Sequence, residues 1–442
     1  MILTKHKPEI LFISSADPTY ASGTLAVDYV KAFANFGYKI DLMTLGPVEG
    51  HPEYISVLEK WPKKKFSLLF RILNLLFRLL KFHIGILGQK KGFGFTYSKE
   101  NRPAVNASLV VSKITKEYDW VIILFWQGLL SFKTIEEIFD KLHCQIHFYC
   151  VDYSVMSGGC HFTGLCDRYK IGCGNCPAIN SHSLDDFTSY NVKYRKRIYE
   201  KVKPVVWGNS YMNSFYSKSY LLGNYSRREI GLPLISSTFC SKDKRESRKR
   251  FSIPNEKNFV MLWGANWLND PRKGASCLFE SLAIFYDMLS TEERKHVLFL
   301  TIGANFEQIQ GKQPFEIYNL GYIPFDTLPY VYSSADVFVN PTINDAGPTM
   351  VNQAMACGIP VVSFEMGTAI DVVKGKGTGY CAKLGDTKDF AKGIYSLFKM
   401  GRIERQTVSE RCIQVSIELV SEEAFVNTMV RAYNKYNVSC QF

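Results

Sequence analysis

Short, almost continuously apolar runs recur along this chain, separated by longer stretches in which apolar residues return at helical spacing. In the first half the runs cover residues 10–14, 39–43, 120–125, 145–149 and 204–207; in the second they cover 259–263, 297–301, 337–340 and 360–363. Runs this short with no polar alternation are strands covered on both faces, and strands alternating with helices predict α/β units around a parallel sheet. The series occurs twice. At 442 residues the chain also exceeds what one core organises, so two domains are expected. The stretch 241–250 is charged nearly throughout and reads as the connection between them. The expected domains are therefore 1–240 and 251–412, with a closing helical segment over 413–442.

The most telling local pattern begins at Asp345. A polar loop carrying Gly347 and Pro348 runs into a helix at Thr349, Gly358 and Pro360 stop that helix, and Val361-Val362 opens a strand. A helix entered this way presents free backbone N–H groups and a positive dipole end to the loop, a site suited to a diphosphate. Asp345 and Gln353, eight positions apart, face the same region. Upstream, the loop after the run 259–263 contains Asn266 and ends in Arg272-Lys273-Gly274. Cations at a helix start are unfavourable unless an anion is present, so this basic pair reads as phosphate-binding rather than as solvated surface. Arg272 carries the planar guanidinium that suits phosphate oxygens.

The stretch 345–362 resembles the nucleotide-sugar site of glycosyltransferase family 4, whose motif is Glu, seven residues, Glu, then Ala-Met-Ala-x-Gly-x-Pro-Val-Val. Here the two glutamates are Asp345 and Gln353. The resemblance extends over nearly the whole chain, through Asn209-Ser210, residues 271–274 and 332–336, and a glycine- and cysteine-rich block that looks like a feature of enzymes making bacterial surface polysaccharides, including colanic-acid-type enzymes. It implies the GT-B architecture, two Rossmann-like α/β domains facing across a cleft, with the acceptor on the first, the nucleotide-sugar on the second and the last helix packed back toward the first. It also implies that Lys273 clamps the donor diphosphate, Asp345 holds hydroxyls of the transferred sugar and Gln353 reaches the nucleotide ribose. Gly23 corresponds to the glycine loop that approaches donor phosphate and acceptor. Asp152 is what remains of a His-Asp pair, because Val151 stands where the family has His; Ala265 likewise replaces the usual Arg. His161 is a candidate for reaching the cleft, with a core role as the equal alternative.

The implied activity is retaining transfer of a hexosyl group from a nucleotide-diphosphate-sugar to a lipid-linked or polysaccharide acceptor in bacterial surface polysaccharide biosynthesis. No catalytic cofactor is implied, and no Asp-x-Asp occurs to hold a metal-bound nucleotide. The leaving diphosphate then needs electrostatic stabilisation rather than a nucleophilic side chain. The rival reading is a catalytically impaired nucleotide-sugar-binding relative, favoured by Gln353, Ala265 and Val151.

Cys160, Cys166, Cys173 and Cys176 are separated by 5, 6 and 2 residues. Cys173-Gly-Asn-Cys176 is one half of many tetrahedral zinc sites. A structural zinc is expected ahead of free thiols, with an iron–sulfur cluster or disulfides behind. Four thiolates leave no open coordination position for catalysis.

Charge changes the picture once. Of the net +12, residues 60–102 contribute +10, with eleven Lys or Arg against Glu100. Within that segment Ser67, Arg71, Asn74, Arg78 and Lys81 form a narrow polar stripe on an otherwise apolar helix, which reads as an interfacial helix behind the Lys63-Lys64-Lys65 cluster. At ~1.5 Å per residue it is too short to span a bilayer. An anionic membrane surface is the expected partner, ahead of nucleic acid and of a plain core helix. The N-terminus passes directly into a strand without a signal-like apolar region, so the expected location is cytoplasmic, peripheral on the inner membrane.

Overall fold

The computed structural model describes residues 7–16, 23–45, 54–57, 94–95, 100–101, 105–149, 152–225, 227–229, 234, 238–309 and 313–439. The amphipathic stripe 67–81 and the Lys63–Lys65 cluster lie outside the described residues. The chain divides into two units, one of Met1–Gly208 with Met212–Glu229, the other of Asn209–Tyr211 with Ile230–Phe442.

In the first unit the strands are β1 (Ile10–Ile13), β2 (Ile40–Thr44), β3 (Tyr54–Ser56), β4 (Gly94–Phe95), β5 (Trp120–Ile123), β6 (Gln145–Tyr149), β7 (Cys160–Phe162), β8 (Val205–Gly208) and β9 (Arg227–Glu229). Seven of them form a sheet in the order β3-β2-β1-β5-β6-β8-β9, parallel throughout. Every residue of β1 and β5 is fully buried, as the unbroken apolar runs required. The short strands β4 and β7 pair separately and antiparallel.

The second unit carries β10 (Phe259–Trp267), β11 (Val297–Ala304), β12 (Ile317–Asn319), β13 (Val337–Asn340), β14 (Val361–Phe364) and β15 (Gly379–Ala382). Their order, β12-β11-β10-β13-β14-β15, is that of a doubly wound dinucleotide-type sheet. The order reverses between β10 and β13, and ligands of such sheets bind beyond the strand carboxyl ends at that reversal. Two apolar layers cover the sheet. One gathers Val260, Leu262, Leu300, Val351 and Met355, the other Met261, Trp263, Phe299, Leu278 and Phe390.

The division between units falls upstream of the charged stretch 241–250, which is part of the second unit and not a connection. Lys244–Arg250 is a helix capped by Asp243, whose Oδ1 accepts the Glu246 N–H at 2.8 Å. Its cations converge on the nearly buried carboxylate of Asp336, Lys244 Nζ at 2.5 Å and Arg248 at 2.7 Å, and the same carboxylate accepts the Val260 N–H at 2.7 Å. The closing helices Arg402–Val420 and Glu422–Ser439 also group with the second unit.

Candidate functional site

Beyond the carboxyl ends of β10 and β13, two loops of the second unit lie against each other. The first ends in a single 3-10 turn, Pro271–Lys273, entered through Asp270, whose Oδ1 accepts the Arg272 N–H at 3.0 Å. Gly274 then takes a φ of 72°, and a Cβ there would stand 1.9 Å from the Pro341 carbonyl oxygen, so only glycine permits this approach. The Ile343 N–H donates to the Arg272 carbonyl at 2.9 Å and fastens the second loop to the first. Thr342 and Ser363 bracket Asn340, whose amide oxygen accepts from Thr342 at 2.8 Å and whose amide nitrogen donates to Ser363 at 2.8 Å.

This arrangement brings Lys273 and Asp345 together. Their Nζ–Oδ2 distance is 2.5 Å, and the Asp345 Oδ1 accepts the Gly347 N–H at 3.2 Å. Burial opposes ionisation of Asp345, but the Lys273 ammonium, its hydrogen bond and the Gly347 amide outweigh it and hold the carboxyl below its ordinary value. Immediately beyond, the helix Thr349–Ala356 starts after Pro348 with no side chain capping it. Its first N–H groups are those for which an anion is the natural partner. Lys273, Asp345, Gly347, Pro348 and Thr349 therefore share one corner.

The other second-unit candidates are placed differently. Arg272 is paired with Asp270 at 2.6 Å, so this guanidinium already has a carboxylate partner. Asn266 is exposed near the end of β10, and Ala265 is buried. Gln353 is nearly buried on the helix, its Oε1 accepting from the Tyr332 hydroxyl at 2.8 Å. A neutral amide suits that position, because burial holds the Tyr332 phenol protonated far above its ordinary value and makes it a permanent donor. The Asn209–Tyr211 stretch adds a contact that sequence reading missed. Ser210 donates its hydroxyl and its N–H to Asp371, and Asn209 donates to the Ala346 carbonyl of the site loop. Burial raises the Asp371 carboxyl, with the Ser210 donors only partly offsetting it.

In the first unit, Gly23 opens the helix Gly23–Asn35 after β1. Asp152 follows β6 and pairs with His161 of β7, Nδ1 to Oδ2 at 2.6 Å. The Ser154 N–H and hydroxyl donate to the other carboxylate oxygen, and the Tyr153 N–H donates to the His161 carbonyl at 2.9 Å. The imidazole thus comes to this aspartate from β7, a strand of the separate two-stranded sheet. The only sequence signal was a His within ten residues of Asp152.

Cys160, Cys166, Cys173 and Cys176 all line one small cavity, closed by Ser157, Gly158, Thr163 and Thr188. None of them is in a disulfide. Among the described residues, no group of three or more His, Cys, Asp or Glu side chains is already gathered closely enough to hold a metal ion, these four cysteines included.

Residues 259–400 match the family model described as glycosyl transferases group 1, a range that runs from β10 into the helix before Gly401 and contains the whole corner just described. The chain is 27% identical over 216 residues to the O-antigen chain mannosyltransferase B of Escherichia coli, covering 43% of this chain. It thus spans about half the length, 54%, of that curated relative. Among solved structures, the sucrose-phosphate synthase of Thermosynechococcus elongatus superposes with a TM-score of 0.63 at 17% identity, over 98% of this chain and 100% of that one. Anabaena Alr3699/HepE, solved with UDP and glucose, gives 0.58 at 12% identity, over 97% and 100%. A glycosyltransferase from Rickettsia africae gives 0.60 at 12% identity, over 97% and 98%. The two parallel-sheet units and these neighbours define a GT-B α/β fold. Among the described residues, no helix is long and apolar enough to cross a membrane.

Proposed function

We propose that this protein is a retaining glycosyltransferase that moves a sugar from a nucleoside-diphosphate donor to a lipid-linked or polysaccharide acceptor in surface polysaccharide assembly. The observation that carries this reading is the Lys273–Asp345 pair beside the uncapped start of the Thr349 helix, inside the segment that matches the glycosyl transferases group 1 model. The UDP-bound neighbour and the O-antigen relative support the classes of donor and acceptor.

In this reading the acceptor hydroxyl attacks the anomeric carbon on the face the diphosphate leaves. The carbon–oxygen bond to the phosphate breaks, and the hydroxyl proton passes to the departing phosphate oxygen. Negative charge grows on that oxygen, and Lys273 Nζ with the helix N–H groups near Thr349 stabilises it in place. Asp345, kept ionised by Lys273, accepts hydrogen bonds from sugar hydroxyls, and the Gln353 amide serves the ribose. Arg272 joins the phosphate only if it leaves Asp270. On the first unit, Asp152 orients His161, and Gly23 lines the acceptor side. Turnover with a panel of nucleotide-sugars and lipid-linked acceptors tests the proposal: a glycosylated product with retained anomeric configuration is expected. Donor binding without product from any pair would favour the impaired relative instead, consistent with Ala265, Val151 and Gln353.

The 60–102 segment supplies the peripheral location on the cytoplasmic face. Its +10 charge attracts an anionic leaflet at about 1 kcal/mol per basic residue near the surface. Replacing Lys63, Lys64, Lys65, Arg71, Arg78 and Lys81 with Gln is expected to abolish sedimentation with anionic vesicles while donor binding persists. A variant that still sediments would overturn the membrane assignment.

A further inference from the structure

We propose that Asn209 is a positioning residue for sugar recognition: it clamps the Ala346–Gly347 peptide group and, through that group, sets the orientation of the Asp345 carboxylate. What Asp345 does there rests on the transfer reading above; how it is held rests on the geometry of the second unit alone.

Asn209 is buried and lies in the stretch Asn209–Tyr211 that groups with the second unit. Its side-chain amide nitrogen donates to the Ala346 carbonyl. That carbonyl belongs to the same peptide group as the Gly347 N–H, which donates to Asp345 Oδ1 at 3.2 Å. The peptide is planar and trans, so its C=O and N–H point in opposite directions. Asn209 therefore grips one edge of a rigid plate whose other edge meets the carboxylate. Each bond also polarises the next, because donation to the carbonyl makes the Gly347 N–H a better donor to an anion. Asp345 Oδ2 meets Lys273 Nζ at 2.5 Å. With one oxygen on the amide and the other on the ammonium, the carboxylate plane is fixed. Its remaining acceptor positions then have set directions for the hydroxyls of a sugar.

The loop does not supply this fixity by itself. Ala346 has no polar side chain, and Gly347 offers little resistance to rotation of the peptide before it. The lock is built from outside the loop. Ser210, the next residue after Asn209, donates its N–H to Asp371 Oδ2 at 3.2 Å and its hydroxyl to Oδ1. Asp371 belongs to the short helix Ala369–Val372. The residues just before that helix touch the same corner. Gly367 lies against it so closely that a Cβ there would stand 3.0 Å from the Gly347 Cα and 3.2 Å from the Pro348 Cδ. Thr368 donates to Asn352 of the Thr349–Ala356 helix at 3.2 Å. Site loop, site helix and clamp thus close on one backing segment, 367–371. Asn209 differs from an ordinary loop fastener in that the peptide group it holds ends, on its far side, at the sugar-binding carboxylate.

Asn209→Leu keeps the side-chain shape and removes the donor. The variant is expected to bind UDP-glucose or GDP-mannose, whichever the unaltered protein takes, roughly 2- to 10-fold more weakly, the range of one neutral hydrogen bond. Affinity for UDP or GDP alone is expected to stay unchanged, because Lys273 and the Thr349 helix hold the diphosphate. In unliganded protein labelled with 15N-glycine, the Gly347 amide is expected to be protected from hydrogen exchange and to exchange faster in the variant by the same factor. A purely structural role would weaken sugar nucleotide and nucleoside diphosphate together. Equal losses for the two ligands, or an unchanged Gly347 amide in the folded variant, would overturn the assignment. Should Asn209→Leu fail to fold, Ser210→Ala, which frees Asn209 from its Asp371 anchor, is expected to give the same selective loss and is judged by the same two readouts. Unaltered protein that binds none of these nucleotides would count against the transfer reading, while exchange at Gly347, which needs no ligand, would still decide the clamp.

Discussion

Lys273→Ala is expected to weaken binding of a nucleoside-diphosphate sugar by about 10- to 100-fold, the range of a lost hydrogen bond between charged groups at ~1.5–3 kcal/mol, while binding of the bare nucleoside barely changes. The ammonium is paired with Asp345, and it stands where an anion would complete the corner with the Thr349 helix. A diphosphate therefore meets a cation whose position is already fixed by Gly274 and by the Arg272–Ile343 bond. The loss has a second part. Without Lys273, burial of Asp345 is opposed only by the Gly347 amide and the Arg272 charge, and the carboxyl moves up from its depressed value. Because the native carboxyl lies below its ordinary 3.8, the ion pair contributes stability above that pH and loses it as pH falls through the lowered value. Sugar recognition should consequently be flat through neutrality in the native protein. Calorimetry with the sugar nucleotide, the nucleoside diphosphate and the nucleoside separates the contributions. Equal losses for all three ligands would remove Lys273 from the diphosphate site.

Much of this architecture could be read from the chain because buried parallel strands are apolar on both faces. The run 337–340 is β13 residue for residue, and 259–263 is the buried first part of β10, which continues to Trp267. The loops after them were found from Gly274 and Gly347, whose chemistry is local. Long-range polar pairing was what stayed hidden. Lys273 and Asp345 were each identified, but separately, since 72 residues divide them. The 241–250 stretch looked like a solvated connection because its partner, Asp336, lies 92 residues from Lys244. Arg272 was assigned to phosphate without regard to Asp270, two residues away, because a short basic motif does not show which way a guanidinium turns. The His161–Asp152 pair required knowing that β7 returns beside the end of β6, a matter of tertiary path rather than pattern.

Arg195→Ala is expected to cost about 3–5 kcal/mol of first-unit stability, the penalty for leaving a buried charge without its partner. Arg195 and Glu100 are 3% and 2% exposed, and the guanidinium meets Glu100 Oε1 at 2.5 Å through one nitrogen and 3.0 Å through another. Its third nitrogen donates to the carbonyls of Ser154 and Ser157, and its face lies 4.9 Å from the centre of the Phe132 ring. Glu100 in turn accepts the Phe132 N–H at 3.0 Å at the start of the helix Phe132–Leu142. One ion pair thus joins two helices to the loop that carries Asp152 and Ser154. Removing the cation takes from a buried carboxylate and two carbonyls the donor they share. For a unit of this size the melting transition should fall by roughly ten degrees. The double replacement Arg195→Met with Glu100→Leu discriminates the cause. Without either charge the desolvation penalty disappears, so the double variant should melt above the single one despite lacking more polar contacts. It should still fall short of the native protein, because the Ser154 and Ser157 carbonyls remain without their donor. A single variant that melts with the native protein, or a double variant less stable than the single, would show that burial of this pair does not govern the loop.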